Sequence, residues 1–290
     1  METPAKAEIN TEPPITLRVV EQYTTGKSPE RNEDALAMAS DRLVLSDGAT
    51  DKNGFKHEGK TGGELAAEAA ITACLETDGY GRVLVDAATT AIHAQYEAFN
   101  EAALENSRSR YGATLVDARL IVEETGNPQL VVTMVGDSGA RVTLHDGSQQ
   151  LFYETKSIDR ENGALRAAYI HEHPDDIEGG RAVIMPRLQD QHTLQNVPTV
   201  ENAYGYGVID GTYVPDEFIR VAKFSASDVQ SIELFSDGYQ AVPTETGVAA
   251  FEAALAHQNA IDPHRIGLGG YDPQTKTADD RTYVLATIDV

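Results

Sequence analysis

A chain of 290 residues with 46 Asp and Glu against 23 Lys and Arg carries a formal net charge of -23, which argues against nucleic acid or an anionic membrane as a partner. Hydrophobic residues make up 41%, enough for a sizeable core, and the one cysteine, Cys74, excludes an internal disulfide and CxxC metal sites. No segment has the length and apolarity of a membrane span or the pattern of a signal peptide, so a cytoplasmic location is expected.

Residues 1–14, METPAKAEINTEPP, are polar and Pro-rich and are expected to form a flexible tail ahead of a single domain over 15–290. TLRVVEQY (16–23) alternates as a strand does, and ALAM, SDR and LVLS read in succession as a hairpin. After Gly63 the period changes: Leu65, Ala69 and Ala73 recur on one helical face, with Ala66, Ala70 and Cys74 beside them. A second helix is predicted over 82–104 from Leu84, Ala88, Ile92, Tyr96, Phe99 and Ala103. Strands return at 113–122 and at LVVTMV (130–135), then at ARVTL (140–144), where Asp146-Gly147 marks a hairpin turn. The segment 155–212 has weak periodicity and many turn residues and reads as irregular. EFIRVAKF, SIELFS and TYVLATI read as later strands, and a helix is predicted near 245–258. Short turns between consecutive strands imply antiparallel pairing, and the grouping of strands apart from helices argues against a βαβ repeat.

Three motifs invite functional readings that fail on context. GFKHEGKT (54–61) matches the phosphate-binding pattern GxxxxGK[ST], but that loop must leave a buried strand directly, and DGATDKN separates it from LVLS. It is expected to be a solvated charged loop that caps the following helix. GDSG (136–139) matches the nucleophile segment of trypsin-like proteases, yet Ala140 breaks the longer motif and no suitably placed histidine precedes it. His171 and His173 form a His-x-His pair with no Cys partner, better read as surface residues.

The acids at element ends carry the chemistry. Glu33 and Asp34 precede ALAM, Asp47 ends LVLS, Asp137 ends LVVTMVG, Asp237 ends SIELFS, and Asp279 and Asp280 precede TYVLATI. Any one alone is more often a turn former or cap. Several at strand tips, brought to one cleft, would repel each other unless a cation neutralised them. An oxygen-only set favours Mg²⁺ or Mn²⁺, and two such ions can activate water and clamp a phosphoryl oxygen.

The ordered landmarks RNEDA (31–35), LVLSDGATD (43–51), GGELAA (62–67), YGATL (111–115), VGDSG (135–139), LFSDG (234–238) and DDRT (279–282) resemble those of the type-2C metal-dependent serine/threonine protein phosphatases. The resemblance implies an α+β fold, an αββα sandwich of two antiparallel sheets flanked by helices, acting on phosphoprotein substrates. It implies two ions, Mn²⁺ or Mg²⁺, with Asp47 bridging both, Gly48 offering a carbonyl to one, and Asp237 and Asp279 completing the other. Glu33 would hold a metal-bound water, with Asp34 in support, and Asp137 matches the position of a weaker third ion.

Three places depart from the family pattern. Pro29 stands where the family has a phosphate-gripping arginine, and Ala49-Thr50 follow Asp47-Gly48 where many members have histidine. Gly139 likewise replaces the usual arginine after GDS. In the loop GKSPERNED, Arg31 precedes Glu33 by two residues; an extended chain would put both on one side, making Arg31 the first candidate for the phosphate and Lys27 the second. The departures keep open a regulatory phosphatase-like domain, and GFKHEGKT a nucleotide hydrolase.

Overall fold

The computed structural model describes residues 15–50, 53–122, 126–264, 266 and 279–289. The expected tail, residues 1–14, lies outside them. Strands β1 (Thr16–Thr25), β2 (Asp34–Ala39) and β3 (Arg42–Ala49) come first, then the two-residue β4 (Lys56–His57) and β5 (Lys60–Thr61). Helices α1 (Gly62–Glu76), α2 (Arg82–Phe99) and α3 (Ala102–Glu105) follow. Then come β6 (Gly112–Ala113), β7 (Leu115–Val122), β8 (Pro128–Val135), β9 (Gly139–Leu144) and β10 (Gln149–Phe152). Helices α4 (Ser157–Glu172) and α5 (Ile177–Asp190) precede β11 (Arg220–Ser225), β12 (Val229–Phe235), α6 (Val248–Ile261) and β13 (Arg281–Asp289).

Two antiparallel sheets run in the orders β1-β13-β12-β9-β10 and β11-β8-β7-β3-β2, with β6 paired to β3. Their facing sides share one core, including Leu43, Leu45, Val116, Val132, Val142, Ile232, Leu234 and Val284. Val44, between Leu43 and Leu45, points the other way, against Ala66, Ala70, Cys74, Leu84 and Ile92 of α1 and α2. That is why LVLS reads as an unbroken apolar run: the strand is covered on both faces. Helix α6 covers the other sheet through Phe251, which meets Phe235 and Tyr283. The layers are therefore helix, sheet, sheet, helix, as the resemblance implied. Burying one aromatic such as Phe251 removes enough apolar surface from water to contribute roughly 2–3 kcal/mol.

Helix α1 buries Ala66, Ala67, Ala70, Ile71 and Cys74; the stripe of Leu65, Ala69 and Ala73 lies at its edge, partly covered. Arg119, in an ion pair with Asp117, donates to the carbonyls of Cys74 and Thr77 and so closes the end of that helix.

The segment 155–212 corrects the sequence reading, because it contains two full helices. Their pattern is masked by composition: Gly163, Gly179, Gly180 and Pro186 all lie inside them, and the buried face of α4 breaks its apolar stripe, placing Asn162 and Arg166 between Ile158 and Ile170. Polar bonds hold this insert together. Arg187 donates to Asn162 at 2.8 Å and Arg166 to the His264 carbonyl at 2.8 Å.

Candidate active site

The hairpin register of β2 and β3 puts Asp34 opposite Asp47. Facing residues of an antiparallel pair have Cβ atoms only ~4.5–5.5 Å apart, so these carboxylates repel when both are ionised. In the other sheet β12 pairs with β13, which sets Asp237, just past β12, near Asp279 and Asp280, just before β13. The Ser236 amide donates to the Thr282 carbonyl, and the Thr282 amide donates to Ser236 Oγ at 2.9 Å. Ser236 Oγ then donates to Asp34 Oδ2 at 2.7 Å, across the gap between sheets. Asp137 sits in the short link from β8 in one sheet to β9 in the other. The tips carrying Glu33, Asp47, Asp137, Asp237, Asp279 and Asp280 open with Gly48 on one cavity of about 450 Å³, which three cations also line, Lys27, Lys156 and Arg181.

Desolvation pushes the Asp47 and Asp237 carboxyls well above the usual range, and each is raised further by the other acids, Asp34 for Asp47 and Asp47 for Asp237. Asp34 is raised to about 7, first by burial, then against hydrogen bonds from Ser236 and Thr282, with the charges of Asp280 and Asp237 adding to the rise. Burial also raises Asp279, offset in part by Lys27.

Glu33 behaves oppositely. It is 7% exposed, and burial alone would raise it, but the bonds and charge of Lys27 and the hydroxyls of Thr50 and Thr61 hold it below the usual carboxylate range. Lys27 Nζ lies 2.5 Å from Glu33 Oε2, 2.8 Å from Asp280 Oδ2 and 4.0 Å from Asp279 Oδ1. Thr50 donates to Glu33 Oε1, as does Thr61 at 2.5 Å. Thr61 is also the N-cap of α1 in a capping box with Glu64. One hydroxyl thus ties the start of a helix to the glutamate of the cavity.

The glycines of SDG and GGELAA have a packing role. A Cβ on Gly48 would lie 2.2 Å from the Gly63 carbonyl oxygen, and one on Gly63 would lie 2.9 Å from Glu33 Oε1. Only bare backbone lets α1 approach β3 and Glu33 this closely.

The donor chemistry fits divalent cations. The acids offer oxygen only, and Asp34 Oδ1 is buried without a hydrogen-bond partner. Among the described residues no three acids close on a single point as a ready-made ligand set; they ring the cavity. Asp47, Asp237 and Asp279 line it with Gly48. Glu33 lines it too, and the Asp34 carboxyl lies buried behind them.

Arg31 is a correction. It is exposed and lies outside the cavity lining, whereas Lys27 is inside it. The expectation assumed an extended loop, but the Arg31 amide donates to the Ser28 carbonyl at 3.2 Å, closing a turn with Pro29 at its first corner. The turn sends Arg31 outward. Asp280, 4% exposed and bound by both the amide and the ammonium of Lys27, was given no role by sequence reasoning.

The discarded motifs stay discarded. GFKHEGKT forms the β4–β5 hairpin, and Lys60 pairs with Glu68 at the surface at 2.5 Å. It caps α1 through Thr61, as expected, but as a hairpin and not a loop. Ser138 has 0% exposure and shares a hydrogen bond with Thr114 Oγ1 at 2.7 Å, so it is no nucleophile. His171 and His173 are exposed, and the His173 ring lies tilted against Tyr169, with centres 4.5 Å apart.

A search of curated proteins finds no significant match. Among solved structures, the serine/threonine phosphatase PstP/Ppp of Mycobacterium tuberculosis superposes with a TM-score of 0.51 at 19% identity, over 95% of this chain and 100% of that one. A point variant of a bacterial serine phosphatase superposes with a TM-score of 0.50 at 15% identity, over 94% of this chain and 99% of that one. The family model "Protein phosphatase 2C" matches residues 25–265. With that match, the two-sheet sandwich and the acids gathered at its end, the chain belongs to the protein phosphatase 2C family of serine/threonine phosphatases.

Proposed function

We propose that this chain hydrolyses phosphoserine and phosphothreonine on proteins, using two divalent ions, Mn²⁺ or Mg²⁺, held in the acidic cavity. The observation that carries this reading is the meeting of Asp34 and Asp47 from one sheet with Asp237 and Asp279 from the other, where desolvation and mutual repulsion favour a bound cation. Asp47, Asp237, Asp279 and Gly48 would hold the ions. Bound there, they would supply Lewis-acid charge to the phosphoryl oxygens and lower the pKa of water. Glu33, which lines the cavity, would hold the attacking water, with the buried Asp34 carboxyl in support behind it. Glu33 fixes Lys27, whose ammonium faces the cavity and would draw the phosphate dianion to it. No helix among the described residues is long and apolar enough to cross a membrane.

The test is a Mn²⁺ titration of phosphate release from an aryl phosphate and from a phosphothreonine peptide. Metal-dependent turnover of both is expected. Metal binding without turnover would instead favour a regulatory phosphatase-like domain.

A further inference from the structure

Asp137 is 5% exposed and lies where the chain crosses from β8 to β9, between the two sheets. Its Oδ2 is 2.7 Å from the ammonium of Lys156. Lys156 is the residue immediately before α4, and its Nζ lies 5.3 Å from the centre of the Tyr206 ring. Lys156 is on the chain entering the helical insert, and Tyr206 is on the chain leaving it. Both ends of the insert therefore meet at the ammonium that Asp137 holds. A cation held between a buried carboxylate and an aromatic face is stabilised from two sides.

We infer that the Lys156 ammonium permanently supplies the positive charge at Asp137 that the family resemblance assigns to a weaker third ion, so that this phosphatase binds two divalent ions and not three. The inference rests on the metal-site reading proposed above. A Mg²⁺ or Mn²⁺ ion at Asp137 would need oxygen ligands at about 2.0–2.2 Å and room for several waters. An ammonium already bonded to Oδ2, with the Tyr206 ring beside it, fills that side of the carboxylate. A divalent ion arriving there would also meet the unit charge of Lys156 at short range. The other oxygen, Oδ1, has no hydrogen-bond partner and sits in the field of the Asp47 and Asp237 cluster. Asp137 is in this reading a positioning residue, which holds the insert over the cavity through Lys156 whether or not metal is bound.

Mn²⁺ stoichiometry by titration calorimetry, with thermal melts as a fold control, tests this without reference to turnover. The parent is expected to bind two ions, and Asp137→Asn also two, since Asp137 is not a ligand. Lys156→Met, which keeps length and removes charge, is expected to bind a third ion more weakly. Lys156→Arg and the double variant Lys156→Met/Asp137→Asn are expected to return to two. Three ions in the parent, loss of an ion in Asp137→Asn, or two in a folded Lys156→Met would each overturn the inference alone. If Lys156→Met does not fold, the parent and Asp137→Asn still decide it. No ion in the parent would overturn the metal-site reading beneath it.

Discussion

Replacing Lys27 by Met removes the ammonium that lies between Glu33 and Asp280 and leaves two buried carboxylates without their cation. The side chains are well shielded, with Lys27 23% exposed, Glu33 9% and Asp280 5%. Breaking a buried pair by removing one partner costs ~3–5 kcal/mol, and the residual exposure of Lys27 puts the expected loss at the lower figure, ~3 kcal/mol. At ~2.1 cal/mol/K per residue, a chain of this length has an unfolding entropy near ~0.6 kcal/mol/K, so the metal-free melting temperature should fall by roughly 5 °C. The pH window follows from the two partners. Lys27 is raised above its ordinary 10.5, so its contribution is full below that value and is lost only as pH rises through the higher folded one. Glu33 is lowered from its ordinary 4.5, so its contribution is present above that value and is lost as pH falls through the folded one. The deficit of Lys27→Met should therefore be flat between about pH 5 and 10 in calorimetric melts of metal-free protein. At saturating Mn²⁺ the same variant should raise KM for aryl phosphate about tenfold or more, the loss of one charge-assisted hydrogen bond, while Arg31→Ala leaves KM unchanged. A stability loss below ~1 kcal/mol, or a KM effect in Arg31→Ala and none in Lys27→Met, would refute the placement of Lys27 as the cation of the cavity.

Asp47→Asn and Asp237→Asn should each abolish Mn²⁺-dependent phosphate release while raising the urea midpoint of the metal-free protein, because each removes a charge from a mutually repelling set; near-normal turnover in either would contradict the two-ion assignment. The rise of Asp34 to about 7, with Asp47 and Asp237 raised as well, means that the metal-free folded state holds protons the unfolded chain has released, so stability should decline as pH climbs from about 4 through 7, Asp34 contributing part of the fall. Urea midpoints at pH 5 and pH 8 measure this, and Asp34→Asn should lessen the slope. Lys60→Ala should keep kcat within a few-fold and cost under ~1 kcal/mol, since it loses one surface pair with Glu68; a hundredfold loss in kcat would restore the phosphate-loop reading of GFKHEGKT.

The sandwich and the main acids were readable because each leaves a local mark. Strands covered on both faces give runs such as LVLS, and a carboxylate that ends such a run at a glycine stands out. The cations left no such mark. Lys27 and Arg31 are equally basic neighbours of Pro29, and only the turn closed from Arg31 to Ser28 decides which of them faces inward. Lys156 precedes a stretch whose helices are disguised by internal Gly and Pro, so nothing in the sequence ties it to Asp137. The dual use of Thr61, as helix cap and as donor to Glu33, needed the packing of Gly48 on Gly63 to be seen. Periodicity reports what a residue does for its own element. It is silent on partners that other elements bring to the same place.

Half of the acidic set stands on each layer of the sandwich, and the Ser236–Asp34 bond spans the seam. The cavity is therefore a gauge of how the layers sit on each other. A core substitution that lets them slide, such as Leu234→Ala or Val132→Ala, would change the spacing between the two halves and should loosen cation affinity from a distance. The coupling runs in reverse as well: a cation gripping both halves acts as a rivet, and the stability it confers should appear as resistance to shear between layers that its ligands never touch.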